Sequence, residues 1–124
     1  MRVLLDTHAF LWWRLNSRRL LRAARESIAT ADIVWVSAAS AWEIAIKRQL
    51  GRLELEEPFG SMVADSDFTA LPVTFDHAER TGVLPPHHSD PFDRMLVAQA
   101  IIEGATLITH DRQFRPYDVQ ILWT

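Results

Sequence analysis

The sequence predicts an α/β fold with a mainly parallel sheet covered by helices on both faces. Three observations lead there. Short apolar runs alternate along the chain with longer segments of helical periodicity. No internal repeat, low-complexity tract or linker divides the 124 residues, so a single domain spanning 1–124 is expected. Asp6 and Asp111 each fall just past a strand segment, at the sheet edge where open parallel folds bind their ligands.

The elements follow in order. Residues 3–5, Val-Leu-Leu, form a short apolar run ending at Asp6, the pattern of a buried strand. Residues 8–15 have helical length but are apolar nearly all round, so this helix must be covered on two sides. Asn16 and Ser17 break it. Residues 20–29 carry Leu20, Leu21, Ala24 and Ile28 at helical spacing. Residues 33–36 are the second strand. Ser37 and Ser40 can each cap the next helix, which carries Trp42, Ile44, Ala45, Ile46 and Leu50 and stops at Gly51. Pro58 suits the first turn of a helix reaching residue 66. Residues 71–73 contain Pro72 and are therefore expected as an edge strand. A short helix over 75–83 and a proline loop over 84–89 follow. Pro91 opens a helix through Glu103, closed by Gly104. Strands over 106–109 and 119–122 complete the pattern.

Composition narrows the chemistry. Hydrophobic residues make up 48% and charged residues 23%, a globular balance. There is no cysteine, which excludes disulfides, thiol catalysis and Cys-based metal sites and makes the cytoplasm the expected location. The first residues lack the n-region and cleavage site of a secretory signal, and no apolar run reaches the roughly 18 to 20 residues of a membrane span. The formal charge of −3 argues at first against a nucleic-acid partner. Taking four metal-bound carboxylates out of that count leaves +1, and every basic residue but Lys47 is arginine, which suits phosphate. Arg14, Arg18, Arg19, Arg22 and Arg25 crowd one stretch, as a phosphate-binding patch or as a solvated helix face.

Four acids stand in apolar settings: Asp6, Glu43 within AWEIAI, Asp93 before RMLVAQA, and Asp111. Carboxylates beside core residues are costly unless paired or bound to a cation. Hard oxygen ligands without cysteine or clustered histidine select magnesium or manganese. Two such ions about 4 Å apart can activate a water and neutralise the leaving oxygen of a phosphodiester. Each acid also has a plain reading. Asp6 can cap a helix, Glu43 can pair with Lys47, Asp93 can favour a helix N-terminus, and Asp111 can serve a turn. Their joint placement at strand ends favours the catalytic set.

The segments LLDTHAFLWW, SAASAWEIAIKRQLGRLEL, HSDPFDRMLVAQA and LITHDRQF fall in an order that closely resembles PIN-domain ribonucleases, specifically VapC-type toxins of bacterial toxin–antitoxin pairs. The resemblance spans essentially the whole chain. It implies a three-layer αβα sandwich, RNA hydrolysis with one or two Mg²⁺ or Mn²⁺ ions, dimerisation, and inhibition by a small VapB-like antitoxin. The family's four acids fall on Asp6, Glu43, Asp93 and Asp111. Asp90 lies one turn from Asp93 and is the competing third ligand; LVAQA aligns with the family helix that follows that acid, which assigns Asp93. Asp90 is then a cap or a support for the ligands, as are Thr7, Thr109 and His110. His110 stands where many relatives carry Asn.

His8, His77, His87 and His88 share no metal-ligand spacing, and the 87–88 pair is expected at the surface of its proline loop. Trp12 and Trp13 are expected to meet a protein partner rather than RNA bases. Three other functions compete: an RNA-processing PIN nuclease without toxicity, an inactive PIN-fold binding module, and a receiver-type phospho-acceptor. The last needs an acidic pair near the first strand and a lysine after the last, and this chain has neither.

Overall fold

Five strands form one sheet in the order β3-β2-β1-β4-β5, and every pairing is parallel. The computed structural model describes residues 1–124. The strands are β1 (Arg2–Leu5), β2 (Ile33–Ser37), β3 (Thr69–Leu71), β4 (Thr106–Thr109) and β5 (Ile121–Trp123). The helices are α1 (Thr7–Arg14), α2 (Arg22–Thr30), α3 (Ala38–Gln49), α4 (Phe59–Asp65), α5 (Phe75–Thr81) and α6 (Pro91–Glu103), with a 3₁₀ turn at Arg112–Phe114.

Alternation along the central strands divides the core in two. Val3 and Leu5 of β1, with Val34, Val36 and Ile108, face Ala9 and Phe10 of α1, Ala24 and Ile28 of α2, Ile44 of α3 and Met62 of α4. Leu4, Trp35 and Leu107 point to the other face, against Leu96, Val97 and Ala100 of α6. Because β1 is apolar at three successive positions, it can be buried on both sides, and it sits at the centre of the sheet. The chain winds outward from β1 to β2 and β3, then returns to lay β4 on the other flank. The order reverses between β1 and β4, so a crevice opens at their carboxyl ends.

Two strands differ from expectation. Strand β3 covers Thr69–Leu71 instead of 71–73, because its ladder to β2 ends at Leu71 and Pro72 has no N–H to extend it. Strand β5 runs from Ile121 to Trp123 instead of 119–122. It pairs Leu107 with Ile121 and Thr109 with Trp123, and Trp123 lies under the Arg112 guanidinium at 4.5 Å. Helix α6 has the bounds that Pro91 and Gly104 predict; Gly104 takes the left-handed φ of 65° that ends it.

Phe10 has no exposed surface and meets Phe59 edge-on at 5.2 Å. Phe10→Ala should cost about 3–5 kcal/mol of unfolding free energy, read from chemical denaturation. A loss below about 1 kcal/mol would mean that this face repacks freely.

Candidate active site

The crevice is furnished by side chains that the local backbone holds in place. Asp6 follows β1 and caps α1: its Oδ1 accepts the Ala9 N–H at 2.7 Å, while Oδ2 accepts the Thr109 hydroxyl. Thr109 closes β4, and its oxygen also accepts the Asp111 N–H at 3.0 Å. Asp111 caps the 3₁₀ turn through the Gln113 N–H at 3.0 Å. Glu43 reaches in from α3, accepting the Thr7 hydroxyl at 2.8 Å and lying 3.3 Å from Lys47 Nζ. Asp90 caps α6, with Oδ1 accepting from Phe92 and Asp93 at 2.8 and 3.2 Å. Asp93 lies in the first turn of that helix.

These contacts bring Asp6, Glu43, Asp93 and Asp111 into one polar cavity of about 390 Å³, together with Asp90, Thr7, His8, Lys47, His110 and Arg112. Thr109 stands behind it. The plain readings of the acids hold as well: Asp6 and Asp111 are caps, and Glu43 pairs with Lys47. Thr7 and Thr109 give their hydroxyl protons to carboxylates.

The charges strain against one another. Burial pushes the Asp6 carboxyl above its ordinary range, against the pull of the Thr109 and Ala9 hydrogen bonds. Asp93 is pushed up to about 7, first by burial and then by the charge of Asp90, with Glu43 and Asp6 adding to it and His88 opposing. Burial raises Asp111 too, but hydrogen bonds from Gln113 and His88 outweigh it and hold its carboxyl below the usual value. Five carboxylates share the cavity with Lys47 and Arg112 as its fixed cations. A donor set of five carboxylates, with one imidazole, His88, beside Asp93 and Asp111, is mostly oxygen and carries surplus negative charge, so the residues fit magnesium or manganese.

One residue is not where the sequence reading put it. His88 is buried, not at the surface of its loop, and its Nε2 lies 3.0 Å from Asp93 Oδ2 and 3.1 Å from Asp111 Oδ2. Its backbone N–H donates to the Tyr117 hydroxyl at 2.9 Å, which folds the proline loop onto the 3₁₀ turn. No local pattern signals this, because Tyr117 and Asp111, which fix its backbone and its ring, lie more than twenty residues away. His110, by contrast, is exposed, with its ring 4.7 Å from that of Trp12 and 5.5 Å from that of His8.

A family model, PIN domain, matches residues 3–120. The chain belongs to the PIN-domain family. It is 34% identical over 118 residues to the protein named ribonuclease VapC22 of Mycobacterium tuberculosis, covering 93% of this chain and 91% of that one. Among solved structures, this PIN domain resembles VapBC2 from Rickettsia felis bound to a promoter DNA fragment, with a TM-score of 0.74 and 15% identity over 99% of this chain and 98% of the other. A toxin–antitoxin complex from Klebsiella pneumoniae matches with a TM-score of 0.68 and 19% identity over 97% of this chain and 95% of the other. At those identities the structural likeness speaks for the fold.

Asp93 titrates near 7 in this PIN domain and near 4 in an unfolded chain. Its folded pKa being raised, the stability it contributes is full below about pH 4 and is lost as pH rises to about 7. Metal-free protein should therefore fall behind Asp93→Asn in unfolding free energy across that window, measured by denaturant titration at several pH values. A difference that stays constant from pH 4 to 7 would contradict the crowding of these carboxylates.

Proposed function

We propose that this PIN domain, acting as one unit over 1–124, is a divalent-metal-dependent endoribonuclease and the toxin of a toxin–antitoxin pair. The observation that carries the reading is the convergence of five carboxylates on one cavity, with Asp93 driven up to about 7 by burial and then by the charge of Asp90. The relative named a ribonuclease at 34% identity supports the choice of RNA as substrate.

Asp6, Glu43, Asp93 and Asp111 are the residues that would hold one or two Mg²⁺ or Mn²⁺ ions. When bound, the metal supplies activation of water and neutralisation of charge at the phosphodiester. The chain's own part is orientation. Thr109 steadies Asp6 and Asp111 together, and Thr7 steadies Glu43. Lys47 and Arg112, at the cavity wall, are placed to contact phosphate oxygens. The arginines between 14 and 25 are less free for RNA than their number suggests: Arg14 pairs with Glu57 at 2.8 Å, Arg22 with Glu26 at 2.9 Å, and Arg25 lies over Trp13.

The antitoxin contact belongs on α1. Leu11, Trp12 and Trp13 are only half-buried, so the all-round apolar helix is left partly uncovered by its own core. Trp13 lines a groove of about 380 Å³ with Ile28, Ile33 and Phe68, and Trp12 packs against His110 at the wall of the acidic cavity. A partner segment lying along α1 would span both places and carry a cation to the carboxylates. A second copy of the chain would in turn cover exposed Trp42, which meets Phe92 edge-on at 5.2 Å beside Val73 and Met95. No helix is long and apolar enough to cross a membrane, and cytoplasmic RNA is the proposed substrate.

Purified protein should cleave total RNA with Mg²⁺ or Mn²⁺ and stop in chelator; cleavage that persists in chelator overturns the reading. Asp93→Asn should lose on the order of a hundredfold or more. Asp90→Asn, which keeps an equally good cap, should stay within about tenfold of wild type. The reverse ranking makes Asp90 the third ligand.

Co-purification with a small VapB-like protein, sought in a neighbouring open reading frame, tests the partner. Trp12→Ala or Trp13→Ala should weaken that complex at least tenfold, on the order of 2 kcal/mol for a buried aromatic anchor, while leaving the free enzyme folded and active. Unchanged affinity in both variants would move the interface elsewhere.

A further inference from the structure

We infer that His88 is a positioning residue that fixes Asp111 beside Asp93 for the metal by donating from Nε2, not as a ligand. The inference rests on the metal-dependent reading above and deepens it.

The two ring nitrogens face different partners. Nδ1 lies 3.2 Å from the backbone nitrogen of Asp90, a group that can only donate. Nδ1 is therefore an acceptor and bears no proton. The single hydrogen of a neutral imidazole then sits on Nε2. That N–H donates to Asp111 Oδ2 in the loop after β4 at 3.1 Å, and Asp93 Oδ2 in the first turn of α6 lies 3.0 Å from the same nitrogen.

Spacing alone would permit ligation, since ligand atoms of His88, Asp93 and Asp111 all lie within 4.8 Å of one another. The hydrogen bonding opposes it. A ligating Nε2 needs its lone pair free, which moves the proton to Nδ1 and sets it against the Asp90 N–H. Neither side can readily turn away. The Asp90 N–H precedes a capped helix, and the imidazole is clamped by the Tyr117 hydroxyl on its backbone nitrogen and by Phe114, 5.5 Å from the ring. Tyr117 is itself held by Arg94 at 3.2 Å. A donor in this place fixes Asp111 beside Asp93 while leaving the carboxylate oxygens that face the cavity to the cation. Partners of this kind behind metal ligands are worth 10- to 100-fold in metal affinity.

The test uses metal-free full-length protein. Long-range ¹H–¹⁵N correlation spectra should find the His88 proton on Nε2. Mn²⁺ titration followed by electron paramagnetic resonance should show affinity reduced about 10- to 100-fold in His88→Ala. His88→Gln places an amide N–H near the Nε2 position and should recover most of that loss. A proton on Nδ1, unchanged Mn²⁺ affinity in His88→Ala, or a Gln variant as weak as the Ala variant would each overturn the assignment; the last marks a direct ligand. Should both variants fail to fold, the wild-type tautomer still decides. A wild-type protein that binds no Mn²⁺ at all rejects the metal-dependent reading itself, whereas a wild type that binds Mn²⁺ with its proton on Nδ1 rejects only the role of His88.

Discussion

The buried carboxylate of Asp6 is the constraint around which the structure is organised. One oxygen ends β1 and starts α1 by capping Ala9; the other takes the hydroxyl of Thr109, more than a hundred residues away at the end of β4. A single side chain thereby ties the first strand, the first helix and the late strand that closes the crevice. Its burial is unfavourable for a charge, and the two hydrogen bonds only partly offset this. The same oxygens that organise the backbone face a cavity where a cation is favoured. Fold and candidate chemistry share atoms.

That sharing recurs. Asp90, Asp111 and Asp6 are each N-caps, and each lines the cavity. A capping acid has its side chain anchored to backbone N–H groups, which reduces its freedom before any ligand arrives. The reading of each acid as a cap and the reading of it as part of a site are therefore not rivals. Glu43 differs. It is held by side chains alone, Thr7 and Lys47, as Asp93 is by His88, and both lack the backbone anchor of the caps.

What was legible in the sequence follows from where information is local. Asp6 and Asp111 could be placed because an acid after an apolar strand run lies at the end of a parallel strand whatever the rest of the chain does. The bounds of α6 were legible because Pro91 and Gly104 act on their own backbone. Strand β3 was displaced by two residues because its limits depend on the pairing with β2, which local pattern does not contain. His88 was invisible for the same reason. Its burial depends on Tyr117 and on two carboxylates from other elements, and a proline loop rich in polar residues looks solvated until those partners are known.

The strand order has a consequence for the growing polypeptide. A ribosome delivers β1, β2 and β3 early, and these three can pair with one another as they emerge. Strand β4 begins only at Thr106, so Asp6 waits for Thr109 and Asp111 until more than a hundred further residues have been made. The acidic cavity is thus incomplete on a nascent chain until β4 and the turn after it have emerged. Whatever chemistry it performs is withheld until β4 and the turn after it have emerged, and a product truncated before β4 would carry the β1–β3 flank of the sheet with Thr109 and Asp111 missing from its site.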